Sequence, residues 1–469
     1  MAAPGIDDIV QVTPYFGHLP GGTATPAGSV MILGHADPGI PIRLRDLYPG
    51  RADLPAVMAE ADGGWFVGLS FFHGDPLLPG RHDLIATTFP TGLAGPEGES
   101  SPVARVEVGT LDADIMSGPV LGATVIGPNY LFAGSGDDII AAFTVDARGG
   151  HATGAVVTID GGRERDGSGG FDQVQLPFRL EDLQAHLWQP VPNGGPASLK
   201  LQTGDATVLL RQVESLRFSD LTITVQRDPL VDFLFYDLAY PDMAQADANA
   251  RAHYDADGWR EGRDPNAQFS TFGYLGAYAD VREAGLNPLN HYDADGWREG
   301  RDPSAGFDTS LYLRFNPDVA AAGINPLRHY LTDGKAEGRP AFAVVASELV
   351  SRGFDPLFYK LANPDVALAG VDPAAHFQQF GWQEGRNPSA WFDTGFYRAG
   401  NPDVVAAGID PLQHYIEFGW REGRDPSPRF DTAAYLDRYE DVAAAGINPL
   451  QHFLQYGVAE GRLASSELL

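Results

Sequence analysis

The sequence predicts a multidomain protein: an N-terminal β-sandwich, a central β-rich domain and a C-terminal all-α tandem array of six units. Three observations lead there. Short β-prone runs separated by Gly, Pro and Asp turns fill residues 20–108. A Gly- and Asp-rich turn of nine-residue type sits within strand-patterned sequence over 109–226. From 228 to 464 one unit recurs six times, and such units stack neighbour on neighbour to bury a face that none can bury alone.

Whole-chain composition narrows the function classes. The length of 469 residues allows about three domains. Against 32 basic residues stand 62 acidic ones, and the net charge of −30 repels nucleic acid and anionic membranes while favouring cations. Only Lys200, Lys335 and Lys360 are lysines, so the remaining positive charge is Arg, suited to fixed carboxylate pairing. Without cysteine there is no disulfide, thiolate metal ligand or cysteine nucleophile. The first eight residues lack the basic and apolar regions of a cleavable signal, and no window approaches about 18 uninterrupted apolar residues. The expectation is a protein without membrane insertion, either cytoplasmic or exported by another signal.

In the first module the runs 29–33, 40–44, 65–69 and 83–87 are spaced as sandwich strands. Leu33-Gly34-His35-Ala36-Asp37-Pro38-Gly39, Ala61-Asp62-Gly63-Gly64-Trp65, Leu78-Pro79-Gly80-Arg81-His82-Asp83-Leu84 and Ser101-Pro102-Val103 follow in that order. Together they resemble the bacterial immunoglobulin-like domains of surface and secreted proteins, which implies a spacer. His35, His73 and His82 are read as solvated loop residues rather than a zinc cluster.

The second module holds Ala133-Gly134-Ser135-Gly136-Asp137-Asp138-Ile139-Ile140, which fits the parallel β-roll nonapeptide with Ala for the first Gly. Nine residues earlier, Gly127 to Leu131 repeats the phase with Asn129 at the Asp place. Gly127, Gly134 and Gly136 let carbonyls turn toward a hard cation, and Asn129 and Asp138 add side-chain oxygens, so calcium is the expected cofactor. A β-turn holding no ion is the competing reading, since the nine-residue phase stops after Ile140. Gly169-Gly170-Phe171-Asp172-Gln173-Val174-Gln175-Leu176 and Val213-Glu214-Ser215-Leu216-Arg217-Phe218-Ser219-Asp220 resemble the flanking segments of RTX-like, type I-secreted bacterial proteins. That resemblance implies export by a type I apparatus, to the cell surface or outside the cell.

Each array unit reads as short helices with strong punctuation. In the third copy Asp308 or Thr309 caps a first helix, Asn316-Pro317 starts a second that ends at Gly323, and Asn325-Pro326 starts a third that ends at Gly334. Leu327, Tyr330 and Leu331 form its buried stripe. An Asp recurs at Asp242, Asp280, Asp318, Asp365, Asp403 and Asp441, with a His eleven residues later at His253, His291, His329, His376, His414 and His452. These types could ligate metal or do acid–base chemistry. Six copies of one pair point instead to structural bonds, because an active site is needed once and a packing contact in every unit. The closing Glu-Gly-Arg is read as a turn whose charges pair within or between copies, its Arg a clamp joining units with the recurrent Asp as its proposed partner. Trp259, Trp297, Trp382 and Trp420 share one position, replaced by Lys335 and Val458 elsewhere. They either cap the core between copies or stack sugar rings. Around 341–352 nine extra residues, including a helical-looking 341–350, divide the array three plus three.

The pattern Asn-Pro-Asp-Val … His-Tyr … Glu-Gly-Arg resembles repeats of proteobacterial RTX-like secreted proteins and of segments beside some bacterial glycosyltransferases, a resemblance covering 228–464. Three copies depart from it, with Tyr240, Tyr278 and Tyr439 at the Asn position, where blunter helix starts are expected. The leading expectation is a non-enzymatic, calcium-binding, secreted or cell-surface protein that adheres or assembles through its array. Its partner would be an extracellular protein, a polysaccharide or itself. The alternatives are a glycan-binding protein using the Trp row and an enzyme acting on exported polysaccharide.

Overall fold

The computed structural model describes residues 171–465 apart from 192–194 and 205, and before them thirteen strands with residues 36, 37, 40 and 59. The chain forms two compact units: Met1–Gln226 with Tyr240–Ala248, and Arg227–Ala239 with Asn249–Leu469. The first is β-rich and the second is the helical array.

The first unit begins with β1 (Gly5–Val12), β2 (Ser29–His35), β3 (Pro41–Asp46), β4 (Asp53–Met58), β5 (Gly64–Ser70), β6 (Gly80–Thr88) and β7 (Ala104–Val108). β1, β2 and β5 make an antiparallel sheet, while β4, β3, β6 and β7 pair antiparallel in that order. At β7 the pairing changes sense. β8 (Ile115–Ser117), β9 (Val120–Leu121), β10 (Asn129–Phe132), β11 (Ile139–Ala141), β12 (Thr144–Val145), β13 (Ala155–Asp160) and β14 (Gln173–Gln175) come next. β15 (Ala185–Val191), β16 (Gly195–Gln202), β17 (Ala206–Arg211), β18 (Ser215–Arg217) and β19 (Thr222–Thr224) complete the set.

β7, β10, β13 and β17 form one parallel ladder, and β8, β11, β14 and β18 another. Chain order alternates between the ladders, so the backbone coils and returns to each in register; strands on either side of residue 108 therefore share one sheet. Val157, Ile159, Val208 and Leu210 from the first ladder and Ile140, Val174 and Leu216 from the second are buried. Their spacing of two along a strand is what turns alternate side chains to one face. The helix Pro241–Ala246 also belongs to this unit, where Asp247 accepts from the Thr224 amide and hydroxyl at 2.7 and 2.9 Å.

In the second unit the third copy shows the common plan. Asp308 caps the helix Thr309–Phe315 by accepting the Leu311 N–H at 2.8 Å. Pro317–Ala322 begins on its proline and ends at Gly323, whose φ of +64° suits a residue without Cβ. Asn325 caps Pro326–His329 through the Leu327 and Arg328 amides, and Leu327 and Tyr330 are buried. The third helix does not stop at Gly334. It passes into a π-helical turn, Tyr330–Gly334, and closes only at Gly338 with φ +74°.

Equivalent π turns stand at Tyr254–Gly258, Tyr292–Gly296, Phe377–Gly381, Tyr415–Gly419 and Phe453–Gly457. The glycine that looked like a helix end has a different cause. A Cβ on Gly334 would lie 2.2 Å from the Tyr312 hydroxyl, and the five equivalent glycines would each meet their own copy's Tyr hydroxyl at 2.2–2.7 Å.

Repeated bonds close each copy and join it to its neighbours. The amide of each first-helix cap donates to a carbonyl just past the same copy's Glu-Gly-Arg, as in Ser270 to Pro303, Asp355 to Pro388 and Asp393 to Pro426. Tyr254, Tyr292 and Tyr415 share a hydroxyl hydrogen bond of 2.9–3.0 Å with Thr271, Thr309 and Thr432 of the following copy. Asn287 and Asn325 donate back to Asp255 and Asp293 of the preceding one.

The extra segment after the third copy is irregular and turn-like over 341–350, not helical. Its backbone is held to the third copy: the Asp308 amide donates to the Phe342 carbonyl, and the Val344 amide to that of Ala305. A helix would have withdrawn those groups into its own ladder. The two triples also meet directly. The helix Thr271–Ala277 of the second copy packs on Pro356–Ala362 and Pro364–Leu368 of the fourth, where Cβ atoms on Gly273 and Gly276 would lie 2.7 Å from the Leu361 carbonyl and 2.6 Å from the Ala367 Cβ. Among the described residues no helix is long and apolar enough to cross a membrane.

Candidate functional site

The recurrent Asp and His of each copy do not meet as a pair; each has another partner. The six histidines use Nδ1 to hydrogen-bond a buried tyrosine seventeen residues earlier: Tyr236–His253, Tyr274–His291, Tyr312–His329, Tyr359–His376, Tyr397–His414 and Tyr435–His452, all at 2.9–3.0 Å. These tyrosines are 0–1% exposed. Burial pushes the hydroxyl pKa of Tyr274, Tyr312, Tyr397 and Tyr435 well up, so they stay neutral. The His–Tyr bond ties the third helix to the first inside one copy.

The aspartates lie outside, on the second helix. Asp280, Asp318, Asp365, Asp403 and Asp441 each receive both terminal nitrogens of the Arg that closes their own copy, at 2.7–2.9 Å. The Nε of the same Arg donates to the Glu two residues before it, as in Arg339 to Glu337 at 2.5 Å. The closing Arg–Asp pair is thus formed, but it fastens a copy upon itself instead of clamping neighbours: twenty-one residues bring the final turn back over the second helix. Bidentate hydrogen bonding from the Arg holds Asp280, Asp318 and Asp403 down at about 2. In the first copy Asp242 sits in the first turn of Pro241–Ala246, within the β-rich unit.

The position before each second helix also behaves differently from a capping Asn. Asn316 donates its amide back to the Tyr312 carbonyl at 2.8 Å and accepts from Arg339 at 2.9 Å, making no cap bond. Where Tyr replaces it, the helix still forms: the Tyr278 hydroxyl accepts the Asp302 amide, and Arg301 lies over the Tyr278 ring at 5.0 Å. Tyr439 does the same with Leu463 and Arg462.

The Trp position is a core cap. Trp259, Trp297 and Trp420 are 8–9% exposed, with Arg260, Arg298 and Arg421 over their rings at 4.2–4.4 Å, and Trp382 is half-buried. A ring that stacks on a sugar needs an open face, which this placement withholds from the three buried residues. Of the proposed calcium residues, Gly127, Gly134, Gly136 and Asp138 lie outside the described residues, and Asn129 opens β10. Among the described residues no three His, Asp or Glu side chains gather as a metal site.

Two groupings were missed from sequence. Asp302, Asp308 and Asp355 are all 0–5% exposed around the segment between the triples. Asp308 accepts the Val345 amide and Asp355 the Ala346 amide, while burial, reinforced by Asp308 and Asp355, pushes Asp302 well up. The second grouping is an exposed aromatic row at Phe380, Phe418 and Tyr456. Comparison with known proteins finds no matching family model, no matching curated protein and no matching solved structure.

Proposed function

We propose that the protein is a secreted or cell-surface, non-enzymatic interaction protein, with a calcium-stabilised β-rich unit carrying a helical array that adheres or assembles. The observation that carries this reading is the use made of the recurrent residues: six histidines and five aspartates of the array are engaged in bonds that hold copies in shape. Residues spent on scaffold in every copy fit a surface-presenting array better than a reaction centre.

Support for the RTX-like part comes from the parallel ladders. β10 and β11, which flank 133–138 in the sequence, lie on different ladders, and β7 and β8, one step earlier in each ladder, do the same. A calcium ion in a roll of this kind takes oxygens from successive turns.

The test is a thermal melt of the full chain in calcium and in chelator, alone and with Asp138→Ala. The expected result is a melting temperature that rises with calcium and a rise that the variant loses. Superimposable curves would remove calcium from the function. Recovery of the chain from culture medium only when a type I apparatus is co-expressed is the matching expectation for export.

A further inference from the structure

The two triples differ at one repeat position inside the π turn. Copies one to three carry Asp257, Asp295 and Asp333 there, and copies four to six carry Phe380, Phe418 and Tyr456. The π turn forms with either residue type, so folding does not require the ring. These rings are 47%, 55% and 56% exposed, a recurrent apolar cost in three consecutive copies.

Each ring is nonetheless held. It packs on the His four residues earlier, at centroid distances of 5.9, 5.9 and 5.6 Å, and that His is fixed by its bond to the buried Tyr. Four residues further on stands Glu384, Glu422 or Glu460, bound to the closing Arg, which also binds Asp365, Asp403 or Asp441. Two carboxylates to one guanidinium leave one net negative charge in each such cluster. The repeated element is therefore an aromatic platform on an imidazole, with a singly negative cluster beside it.

We propose that this row binds an extended, cationic amino-sugar polymer, one platform per copy. A ring whose outer face is open can stack on the apolar face of a sugar, and ammonium groups match the negative cluster and are drawn to the ring face. A polymer with a regular repeat suits platforms presented once per copy. The net charge of −30 sets a second copy of this chain and anionic polymers against the row. The inference rests on the reading of the array as an interaction surface, while the calcium melt addresses the β-rich unit and fails separately.

The test is calorimetric titration of the full chain at pH 6 and moderate salt with glucosamine hexamer, N-acetylglucosamine hexamer and hexalysine. The variant combines Phe380→Asp, Phe418→Asp and Tyr456→Asp, residues that the first triple carries at that position; Phe418→Asp alone and a melting curve check folding. The variant is more negative than the parent, so plain electrostatics would tighten its binding to a polycation. The expected result is the reverse: affinity for glucosamine hexamer falls roughly tenfold or more as three stacking contacts go. Hexalysine binds weakly to both proteins. Unchanged or tighter binding of glucosamine hexamer by a folded variant overturns the proposal, as does equal binding of the acetylated hexamer or tight, ring-dependent binding of hexalysine. Self-association lost in the variant would put a second copy on the row and overturn it too.

Discussion

At the scale of single residues, the array turns on three positions that need one another: a first-helix Tyr, a third-helix His and a π-turn Gly. In the fifth copy a Cβ on Gly419 would stand 2.2 Å from the Tyr397 hydroxyl but 3.5 Å from its ring carbon Cζ, so only the hydroxyl excludes a larger residue. Tyr397→Phe should cost about 1 kcal/mol, the usual worth of a lost hydrogen bond. Gly419→Ala should cost about 1–3 kcal/mol through overpacking. Combined, they should cost clearly less than their sum, because Phe removes the clashing atom; a denaturant double-mutant cycle reads this, and additive costs would contradict the geometry. The His was legible in the sequence, whereas its partner stands on another helix of the same copy. Tyr236, Tyr274, Tyr312, Tyr359, Tyr397 and Tyr435 recur as faithfully as the histidines, seventeen residues ahead of them. That recurrence was the available signal.

At the scale of elements, the short helices, the Asp308 and Asn325 caps, the left-handed stop at Gly323 and the burial of Leu327 and Tyr330 were readable from local chemistry, whereas Asn316 makes no cap bond, Gly334 is not a stop and Leu331 is only half-buried. The π turns were not, because a π turn and an α turn draw on the same residues. The segment 341–350 misled for a related reason: its composition suits a helix, yet its amides and carbonyls are claimed by the third copy and by Asp308 and Asp355. The buried acids give these elements a pH response. Burial raises Asp264 and Asp308 to about 6, above an ordinary value of 3.8, so between these values the folded array holds more protons than the unfolded chain. Their contribution is present below about 4 and lost as pH rises through about 6. The Arg-paired Asp280, Asp318 and Asp403, held at about 2, contribute above 3.8 and lose that as pH falls through about 2. The array should therefore be more stable near pH 4 than near pH 7, and weaken below that. Asp302→Asn should flatten this slope and raise the melting temperature at pH 7, since Asn387 already accepts the Thr394 amide at the equivalent place, at 2.9 Å. A melt series over pH for parent and variant measures it.

At the scale of the whole chain, the division into β-rich and helical parts and the three-plus-three array were visible in the sequence, whereas the contact between triples was not. Gly273 and Gly276 sit in a first helix like any other, and only the approach of Leu361 and Ala367 shows why side chains are excluded. Gly276→Leu should part the two triples and split array unfolding into two transitions, seen by calorimetry; one unshifted transition would show that the contact carries no coupling. The uneven joints also bear on how such a protein changes length through its gene. Within a triple, each copy closes the same amide-to-carbonyl link just past its own Glu-Gly-Arg, so duplicating or losing a 38-residue cassette there leaves that link in place. At the junction of the third and fourth copies that carbonyl belongs to Phe342, in a segment found nowhere else in the array whose Val345 and Ala346 amides are held by Asp308 and Asp355, so a cassette added there would part the segment from one of those partners. Growth is therefore open inside each half and closed at the middle.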